Sequence, residues 1–449
     1  MNSTTEKTVN NIGIIGGGIM GVTLAYRLSQ LGYDITIYER SDSLGGLTKH
    51  FDYEGYRIDR FYHTILSSDM SMQNLIKEAG VEDKLHFTET KQAFYDNGQL
   101  YPFNTPVELM TYPPLKFFQR FRLGLQIVYS LMESDWREMD KVPVEDWLLK
   151  VSGKAVFEKV WKPLLRAKFD TMTGSVPATY IWSRLRRMMK TREGVTSKEM
   201  MCYLDTGYYS VIEAMEKVCR QHNAKVELNA SIDKILVENG RVSGVIKTDG
   251  TIAEHDTVIS TLPSPVLASL LPEGFDTFTN LLSQQEYLGV LCPLLILKQK
   301  LTPYYVLNIT DDRIPFTAVV ETTNLIDPKY INNYHLVYLP KYIEPNSPLA
   351  TMPDDEVRTS WLKHFKQMFP DFDESLIKDF IVQRARYVEP IRPINTSDQI
   401  PSIQTPIQGL FMGNTVMIYP DLGNGEAVTK FADKMVTEIL PTLKPVTAH

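Results

Sequence analysis

Three kinds of feature are scarce in this sequence, and each scarcity excludes a class of protein. Only three cysteines occur in 449 residues, and they have neither the number for a disulfide framework nor the spacing of a metal site. No apolar run reaches the roughly eighteen residues that a membrane span requires, and the polar segment 1–11 lacks the apolar core of a signal peptide. A net charge of −7 argues against nucleic acid as a partner. We therefore expect a cytoplasmic protein.

The sequence does contain a β-α-β unit near its start. A short apolar strand, a helix with apolar residues at helical spacing, and a second strand follow one another over residues 10–40. Between the first strand and the helix stand glycines in the pattern G-x-G-x-x-G: Gly16, Gly18 and Gly21. They permit a tight turn, and the helix N-terminus with Ile19 and Met20 then directs backbone N–H groups at a pyrophosphate.

The second strand of this unit ends in an acidic residue. Glu39 lies about twenty residues beyond the glycines, where a carboxylate accepts hydrogen bonds from a ribose. Strand, helix, second strand and terminal acid in this order predict a dinucleotide-binding unit. The glycines by themselves do not distinguish NAD from FAD.

The residues after the unit resemble one group of flavoproteins. Glu39, Arg40, Gly45 and Gly46 form the pattern E-R-x-x-x-x-G-G, which resembles the amine oxidase, protoporphyrinogen oxidase and phytoene desaturase superfamily. The resemblance implies FAD, with the paired glycines covering its diphosphate. It also implies non-covalent binding, since no cysteine stands at the flavin attachment position of the superfamily. The family usually has Arg after the glycine pair, whereas this chain has Leu47.

The resemblance extends to two later segments. Ile232 stands at the position whose backbone meets adenine in the relatives, within a predicted three-stranded meander. Gly413 and Asn414 match a Gly-Asp or Gly-Thr position before a C-terminal helix, whose first residues are Asn424, Gly425 and Glu426. In the family this helix directs its N-terminus at the flavin, where the positive dipole end stabilises the anion formed on reduction.

These matches predict an α/β protein in which a Rossmann-type FAD-binding domain is interleaved with an α+β substrate domain. Residues 1–70, 195–270 and 400–449 are the predicted FAD-binding segments. Residues 71–194 are expected to form a helical segment of the substrate domain, and residues 271–399 its sheet.

One histidine is a candidate for the flavin face. His63 follows the paired glycines, where relatives carry a residue near the isoalloxazine, and an imidazole there serves as acid, base or hydrogen-bond donor. A structural histidine bonded to backbone is the alternative. Arg57 and Arg60 flank His63 and are either anion-binding or solvated. His63 and Thr64 also resemble a stretch of the UDP-galactopyranose mutases.

Further candidates come from the later segments. Glu321 is expected at a strand edge facing the substrate pocket, and an exposed edge acid is the alternative. Tyr305 and Tyr419 are candidates for aromatic contacts, because the aromatic cage position of the amine oxidases falls on Gly423. The family lysine near flavin N5 aligns with Cys292, which lacks a positive charge.

Two stretches of the predicted helical segment are locally basic, one with Lys162, Arg166 and Lys168 and the other with Arg184, Arg186 and Arg187. Facing inward they would suit a phosphorylated or carboxylated substrate, and facing outward they would be solvated. Residues 115–132 mix Phe, Leu, Arg and Lys amphipathically. We interpret them as a buried core helix rather than a membrane-surface contact.

The predicted function is that of an FAD-dependent oxidoreductase that passes a hydride from a small-molecule substrate to flavin N5. An alternative is a redox-neutral UDP-sugar mutase-like enzyme of polysaccharide biosynthesis, in which reduced flavin attacks an anomeric carbon. A third possibility is a flavin-binding scaffold without catalysis. The sequence leaves the substrate, the electron acceptor and the oligomeric state open.

Overall fold

The computed structural model describes residues 10–132, 135–169, 175–190 and 200–444. The predicted boundary at 194/195 and nearly all of the polar segment 1–11 lie outside these residues. Within them, every helix is too short or too polar to cross a membrane.

The strands alternate with helices along much of the chain. The strands are β1 Asn11–Ile15, β2 Asp34–Tyr38, β3 His50–Tyr53, β4 Tyr56–Asp59, β5 Ile65–Leu66, β6 Leu85–Glu89, β7 Gln92–Asp96, β8 Gln99–Pro102, β9 Met200–Leu204, β10 Lys225–Glu227, β11 Ile232–Glu238, β12 Arg241–Lys247, β13 Ile252–Glu254, β14 Thr257–Ser260, β15 Tyr287–Leu297, β16 Val306–Ile309, β17 Ala318–Glu321, β18 His335–Tyr338, β19 Lys341–Ile343, β20 Ile377–Pro390 and β21 Leu410–Met412.

Half of the α-helices in the described residues lie between residues 106 and 190, and the others are spread along the chain. They are α1 Ile19–Gln30, α2 Met70–Glu78, α3 Pro106–Thr111, α4 Phe117–Met132, α5 Trp136–Asp140, α6 Val144–Ser152, α7 Lys154–Val156, α8 Lys162–Phe169, α9 Thr179–Lys190, α10 Tyr209–Gln221, α11 Ser264–Leu270, α12 Asp276–Ser283, α13 Asp354–Met368 and α14 Gly425–Ile439.

A five-stranded parallel sheet forms the centre of the dinucleotide-binding part. Its order is β10-β2-β1-β14-β21, so strands from distant parts of the chain become neighbours. The side chains of Ile12, Ile14, Ile35 and Ile37 are fully buried in it, as expected for a parallel sheet covered on both faces. Helices α10 and α14 both pack against α1. The Rossmann-type α/β fold that the sequence predicts is thereby confirmed, while the predicted segment boundaries stay predictions.

Two antiparallel sheets accompany this core. Strands β11, β12 and β13 form the expected three-stranded meander, with Asn239 at φ 52° and Gly240 at φ 77° in the first turn. The larger sheet has the order β19-β15-β18-β17-β16-β7-β8, and β20 also pairs with β15. All eleven residues of β15 are buried. Most of this larger sheet comes from residues 271–399, the segment predicted to form the sheet of the substrate domain. We call this sheet and the helices of residues 71–194 the substrate part.

The segment 71–194 contains strands that the sequence analysis did not anticipate. Strands β7 and β8 form a hairpin, and β7 extends the larger sheet by pairing with β16. Their turn is Asn97-Gly98, with φ values of 49° and 78°, which is a strong hairpin signal. The description of this segment as helical is therefore incomplete.

The interpretation of residues 115–132 as a buried core helix is wrong. Helix α4 turns most of its large apolar side chains outward, and Phe118 is 81% exposed. The polar residues Gln126 and Ser130 lie on its buried side. The sequence shows that α4 is amphipathic, but in the structure the apolar side of α4 faces outward.

Candidate functional site

Three glycines build the loop between β1 and α1. Gly16 has φ +106°, which glycine adopts without strain. A Cβ at Gly21 would lie 2.0 Å from the Gly16 carbonyl oxygen, so only glycine lets α1 approach the loop this closely. Gly18 precedes α1 without any side-chain cap. The first-turn N–H groups, including those of Ile19 and Met20, are therefore available to an anionic ligand.

The paired glycines lie directly over this loop. The Gly45 N–H donates to the Gly17 carbonyl oxygen at 2.8 Å, and a Cβ at Gly46 would lie 3.0 Å from the Gly18 Cα. Two backbone segments thus meet with no side chain between them, which suits a diphosphate. Leu47, which follows, packs against the apolar cluster of the substrate part.

Glu39 ends β2 with its carboxylate beside the glycine loop. Its Oε2 accepts from the Gly17 N–H at 2.8 Å and its Oε1 from the Ser41 N–H at 2.9 Å. The Ser41 hydroxyl also donates to Oε1. A carboxylate has about four lone-pair sites, so one remains for a ribose hydroxyl. The neighbouring Arg40 is exposed, and Ile232 is half-buried at the start of β11.

Gly413 and Asn414 follow the last strand of the parallel sheet. A Cβ at Gly413 would lie 2.1 Å from the Met435 sulfur, so glycine lets α14 close onto the sheet. The Asn414 side chain donates to the Leu262 carbonyl oxygen at 3.1 Å and to the Ser264 hydroxyl at 3.0 Å. Asn414 therefore joins the loops after β14 and β21, and this use occupies its amide.

Helix α14 begins at Gly425. The Asn424 side chain caps it by accepting from the Ala427 N–H at 3.0 Å. The Glu426 carboxylate accepts from the Met72 N–H at 2.9 Å, at the start of α2. Glu426 thus ties two helices together, and the part of this motif that faces a ligand is the backbone.

The residues described so far fit FAD. They provide a helix start without a side-chain cap, a second glycine turn over it, and a carboxylate beside both. A second helix start, that of α14, comes after β21, which lies two strands from β1 in the parallel sheet. Such a long cradle suits a dinucleotide whose two ends need separate supports.

His63 lies next to the start of α14. Its ring centroid is 5.2 Å from that of Tyr208, and a Cβ at Gly425 would lie 2.9 Å from the Tyr208 hydroxyl. His63 Nδ1 lies 2.9 Å from the Phe61 carbonyl oxygen, so this nitrogen carries the proton and Nε2 is left as an acceptor. Burial lowers the pKa of His63 to about 4, and the imidazole is neutral near pH 7.

Tyr305 lies beside the His63 loop. Its hydroxyl hydrogen-bonds the Thr64 hydroxyl, and its backbone N–H donates to the Lys91 carbonyl oxygen at 2.8 Å. The side chain is only 3% exposed. The structure therefore brings together His63 and Tyr305, which are 242 residues apart in the chain.

The two arginines near His63 have different surroundings. Arg60 is half-buried and donates from Nε to the Gln383 side-chain oxygen at 2.8 Å. Arg57 is exposed, with its guanidinium 4.4 Å from the Tyr209 ring, and so behaves as a surface charge. Cys292 pairs with Gln383 across β15 and β20. Burial raises the pKa of the Cys292 thiol, which is therefore uncharged.

Asp59 is a site residue that the sequence analysis missed. It ends β4, and a Cβ at Gly207 would lie 2.7 Å from its Oδ1. That oxygen is buried without a hydrogen-bond partner. Burial raises the Asp59 pKa to about 7, against the opposing effect of a hydrogen bond from the Tyr208 backbone. A carboxyl that titrates near neutrality thus lies under the residue that contacts His63.

Tyr419 belongs to a second cluster. Its hydroxyl donates to the Asp140 carboxylate, and the Arg392 guanidinium lies 5.4 Å from its ring centroid. Arg392 is 3.6 Å from Glu389, whose other oxygen lies 3.0 Å from Lys168 Nζ. Burial by itself lowers the pKa of Lys168, but the Glu389 carboxylate raises it overall. Tyr419 is thus held in a polar network.

Arg184 lies between this cluster and the His63 loop. It contacts the Tyr180 hydroxyl and is close to Tyr62 and Tyr342. Its side chain is exposed, and three tyrosines lie near its guanidinium. Among the described residues no carboxylate forms an ion pair with Arg184. Lys168, by contrast, is neutralised by Glu389.

Glu321 does not face the predicted pocket. It is fully buried, and its two carboxylate oxygens accept from the Leu301 N–H at 2.9 Å and the Thr302 N–H at 2.8 Å. Burial raises the pKa of Glu321, and these hydrogen bonds oppose the shift. The residue holds the loop between β15 and β16, so neither the pocket position nor the exposed edge is correct.

The fold and this cradle define a dinucleotide-binding flavoprotein. Residues 19–420 match the model of the flavin-containing amine oxidoreductase family, and the chain belongs to that family. It is 24% identical over 294 residues to the 15-cis-phytoene desaturase of Synechococcus elongatus, a match that covers 59% of this chain and 60% of that protein. The chain is thus an FAD-dependent oxidoreductase by family.

Two solved structures share the fold over nearly the whole chain. One is a protein from Exiguobacterium assigned as a protoporphyrinogen oxidase, with 19% identity, a TM-score of 0.75, and coverage of 98% of this chain and 100% of that one. The other is a reduced UDP-galactopyranose mutase, with 16% identity, a TM-score of 0.76, and coverage of 96% of both chains. At these identities the likeness concerns the fold.

Proposed function

We propose that this protein oxidises a small-molecule substrate that carries an anionic group. The observation that supports the proposal is Arg184, an exposed guanidinium without a carboxylate partner among the described residues, set among tyrosines in the substrate part. A guanidinium in that setting binds carboxylate or phosphate through charge-assisted hydrogen bonds.

Bound FAD would supply the acceptor, at flavin N5, for a hydride from a C–H bond of the substrate. The chain itself positions the substrate. Arg184 binds the anionic group, and Tyr62, which directly precedes His63, connects Arg184 to the His63 loop. The reacting carbon would then lie toward His63.

His63 and Asp59 would handle the proton that the oxidised substrate releases. Neutral His63 presents Nε2 as an acceptor, since Nδ1 faces the Phe61 carbonyl oxygen. General bases of this kind work best when their pKa lies near the operating pH, and the Asp59 pKa of about 7 meets that condition. With a pKa of about 4, His63 would orient the substrate through Nε2, and Asp59 would be the group that holds the proton.

The test is anaerobic reduction of the bound flavin by compounds matched except for charge. The probes are a fatty carboxylate, a tetrapyrrole carboxylate such as coproporphyrinogen III, and the methyl ester of each. We expect the flavin absorbance to bleach with at least one free acid, and more slowly with its ester. Bleaching by esters and free acids at equal rates would contradict a role for the anionic group.

Arg184→Met is the matching variant. Loss of about 1.5–3 kcal/mol of charge-assisted hydrogen bonding should raise KM roughly 10–150-fold with a smaller change in kcat. Arg57→Met, which removes a surface arginine, is the control and should leave both constants unchanged. An unchanged KM in Arg184→Met would refute the anion site. Isomerisation of a UDP-sugar by the pre-reduced enzyme, without net oxidation, would instead support the mutase-like alternative.

A further inference from the structure

Helix α4 has an inverted distribution of side chains. Its large apolar residues face outward at helical spacing, and these are Phe117, Phe118, Phe121, Leu125, Val128, Tyr129 and Met132. The exposed fraction reaches 81% for Phe118 and 78% for Met132. Val107 of the neighbouring α3 is also exposed. Contiguous apolar surfaces of this kind mark an interaction site.

The inner side of α4 is partly polar. The Gln126 side-chain oxygen accepts from the Trp161 indole N–H at 3.0 Å, inside the protein. The Ser130 hydroxyl, also buried, donates to the Gln126 carbonyl oxygen at 2.8 Å. Leu123 completes this inner side. The orientation of α4 is therefore fixed by its own contacts, and the outward apolar side is a stable feature of the fold.

The charged residues of α4 itself are all cations. From Lys116 to Met132 the sequence has three cations and no acidic residue, within a chain of net charge −7. Lys116 and Arg122 are exposed. Arg122 also donates to the Lys150 carbonyl oxygen at 2.9 Å, and Lys159 Nζ donates to that of Pro114 at 2.7 Å, which places two further lysines at the rim.

We infer that the outward face of α3 and α4 docks onto an anionic lipid bilayer. An amphipathic helix with aromatic residues on one side and cations at the rim inserts its apolar side by about 5–10 Å into the headgroup boundary. Each nearby cation strengthens its binding to an anionic surface. A second copy of the chain would present the same cations to this face, and like charges disfavour that pairing.

The outward face of α3 and α4 lies close to the proposed substrate site. Helix α4 packs against α9, the helix that carries Arg184. Docking at α4 would therefore place the substrate part of the molecule, rather than the dinucleotide-binding sheet, next to the lipid.

The test is flotation of the full FAD-loaded protein with vesicles. We expect binding to phosphatidylcholine vesicles that contain about 30% phosphatidylserine, weaker binding to phosphatidylcholine alone, and weakening at high salt. No binding to either kind of vesicle would overturn the inference, and equal binding to both would overturn the anionic part of it.

The variant Phe118→Ser/Leu125→Ser should lower the partition coefficient roughly tenfold or more while the Tm stays within a few degrees. The control Phe87→Ser/Ile252→Ser replaces two exposed apolar residues elsewhere and should bind like the parent protein. A dimer in lipid-free buffer that Phe118→Ser/Leu125→Ser converts to monomer would contradict the bilayer as the occupant, and would assign the face to a second copy.

Discussion

The parallel sheet around β1 and the larger sheet around β15 would present different kinds of group to a ligand. Around β1 the ligand-facing surface is backbone, and glycines such as Gly18 and Gly46 clear the side chains away. On the proposed substrate side the groups are side chains, among them Arg184, Tyr62 and Tyr305, which come from distant parts of the chain.

This difference explains why the cofactor can stay constant while the substrate differs between related proteins. A surface of backbone N–H groups binds a diphosphate regardless of most neighbouring side chains, so it suits a constant cofactor. A surface of side chains changes with each substitution, so it suits a substrate that differs between relatives. The predictions below perturb the two sides in turn.

The largest effect is expected at Gly21. A Cβ there would lie 2.0 Å from the Gly16 carbonyl oxygen, so Gly21→Ala should cost about 3 kcal/mol of unfolding free energy and yield protein without flavin. The control is Gly124→Ala, also in a helix, where the nearest atom is 3.7 Å away. The flavin absorbance of the two purified variants and their Tm values test this prediction. A Gly21→Ala protein that binds flavin and keeps the parent Tm would contradict it.

Glu39→Ala should weaken FAD binding next most strongly. The carboxylate lies beside the glycine loop, and each lost charge-assisted hydrogen bond is worth about 1.5–3 kcal/mol, or roughly 10–150-fold in Kd. Asp42→Ala removes an exposed acid three residues away and should keep the parent affinity. Titration of the apoprotein with FAD, followed by flavin fluorescence, measures both. Equal Kd values in the two variants would refute the ribose role of Glu39.

Glu321→Ala should affect stability and not catalysis. It leaves two buried N–H groups, those of Leu301 and Thr302, without an acceptor, which costs about 1–3 kcal/mol per group at most. The rate of anaerobic flavin reduction should be unchanged. Denaturant unfolding gives the first quantity and stopped-flow absorbance the second, with the exposed Glu356→Ala as control. If Glu321→Ala instead slows flavin reduction and leaves the stability unchanged, Glu321 acts in the substrate pocket.

The smallest effect is expected from Asp59→Asn, and it depends on pH. The Asp59 pKa is raised from its usual value to about 7 in the folded protein. Its stabilising contribution is therefore complete below the unfolded pKa of about 4 and is lost as the pH rises through about 7. At pH 8 the variant should melt about 2–4 °C above the parent, and at pH 4 it should not.

Asp52→Asn, on the same hairpin but exposed, is the control for this pH dependence. It should follow the parent at every pH. A parallel pH profile for Asp59→Asn and the parent would mean that the Asp59 carboxyl titrates normally.

The spacing of neighbouring residues was sufficient to predict the dinucleotide-binding site. The glycine pattern, Glu39 and the paired glycines lie within 31 residues of one another, so their geometry follows from a strand, a turn and a helix. The hairpin at Asn97-Gly98 was equally local, and its turn signal was present in the sequence. It was missed because the surrounding segment is dominated by helical residues.

The substrate side depended on contacts between distant segments. Arg184 was one of several cations in a basic stretch, and only the structure separates it from Arg187, which pairs with Asp69. Asp59 is buried by residues 207 and 208, far along the chain. No local pattern reports such a contact, because burial is decided by what packs against a residue.

The sequence by itself determined the cofactor-binding loop, the interleaved α/β fold and the amphipathicity of α4, since each follows from the order of neighbouring residues. Tertiary structure alone decided which side of α4 faces outward and that Glu321 supports a loop. It also decided that Arg184 has no carboxylate partner within the part of the chain that the structure describes. Those properties depend on the free energy of burying each group against a surface built from elsewhere in the chain.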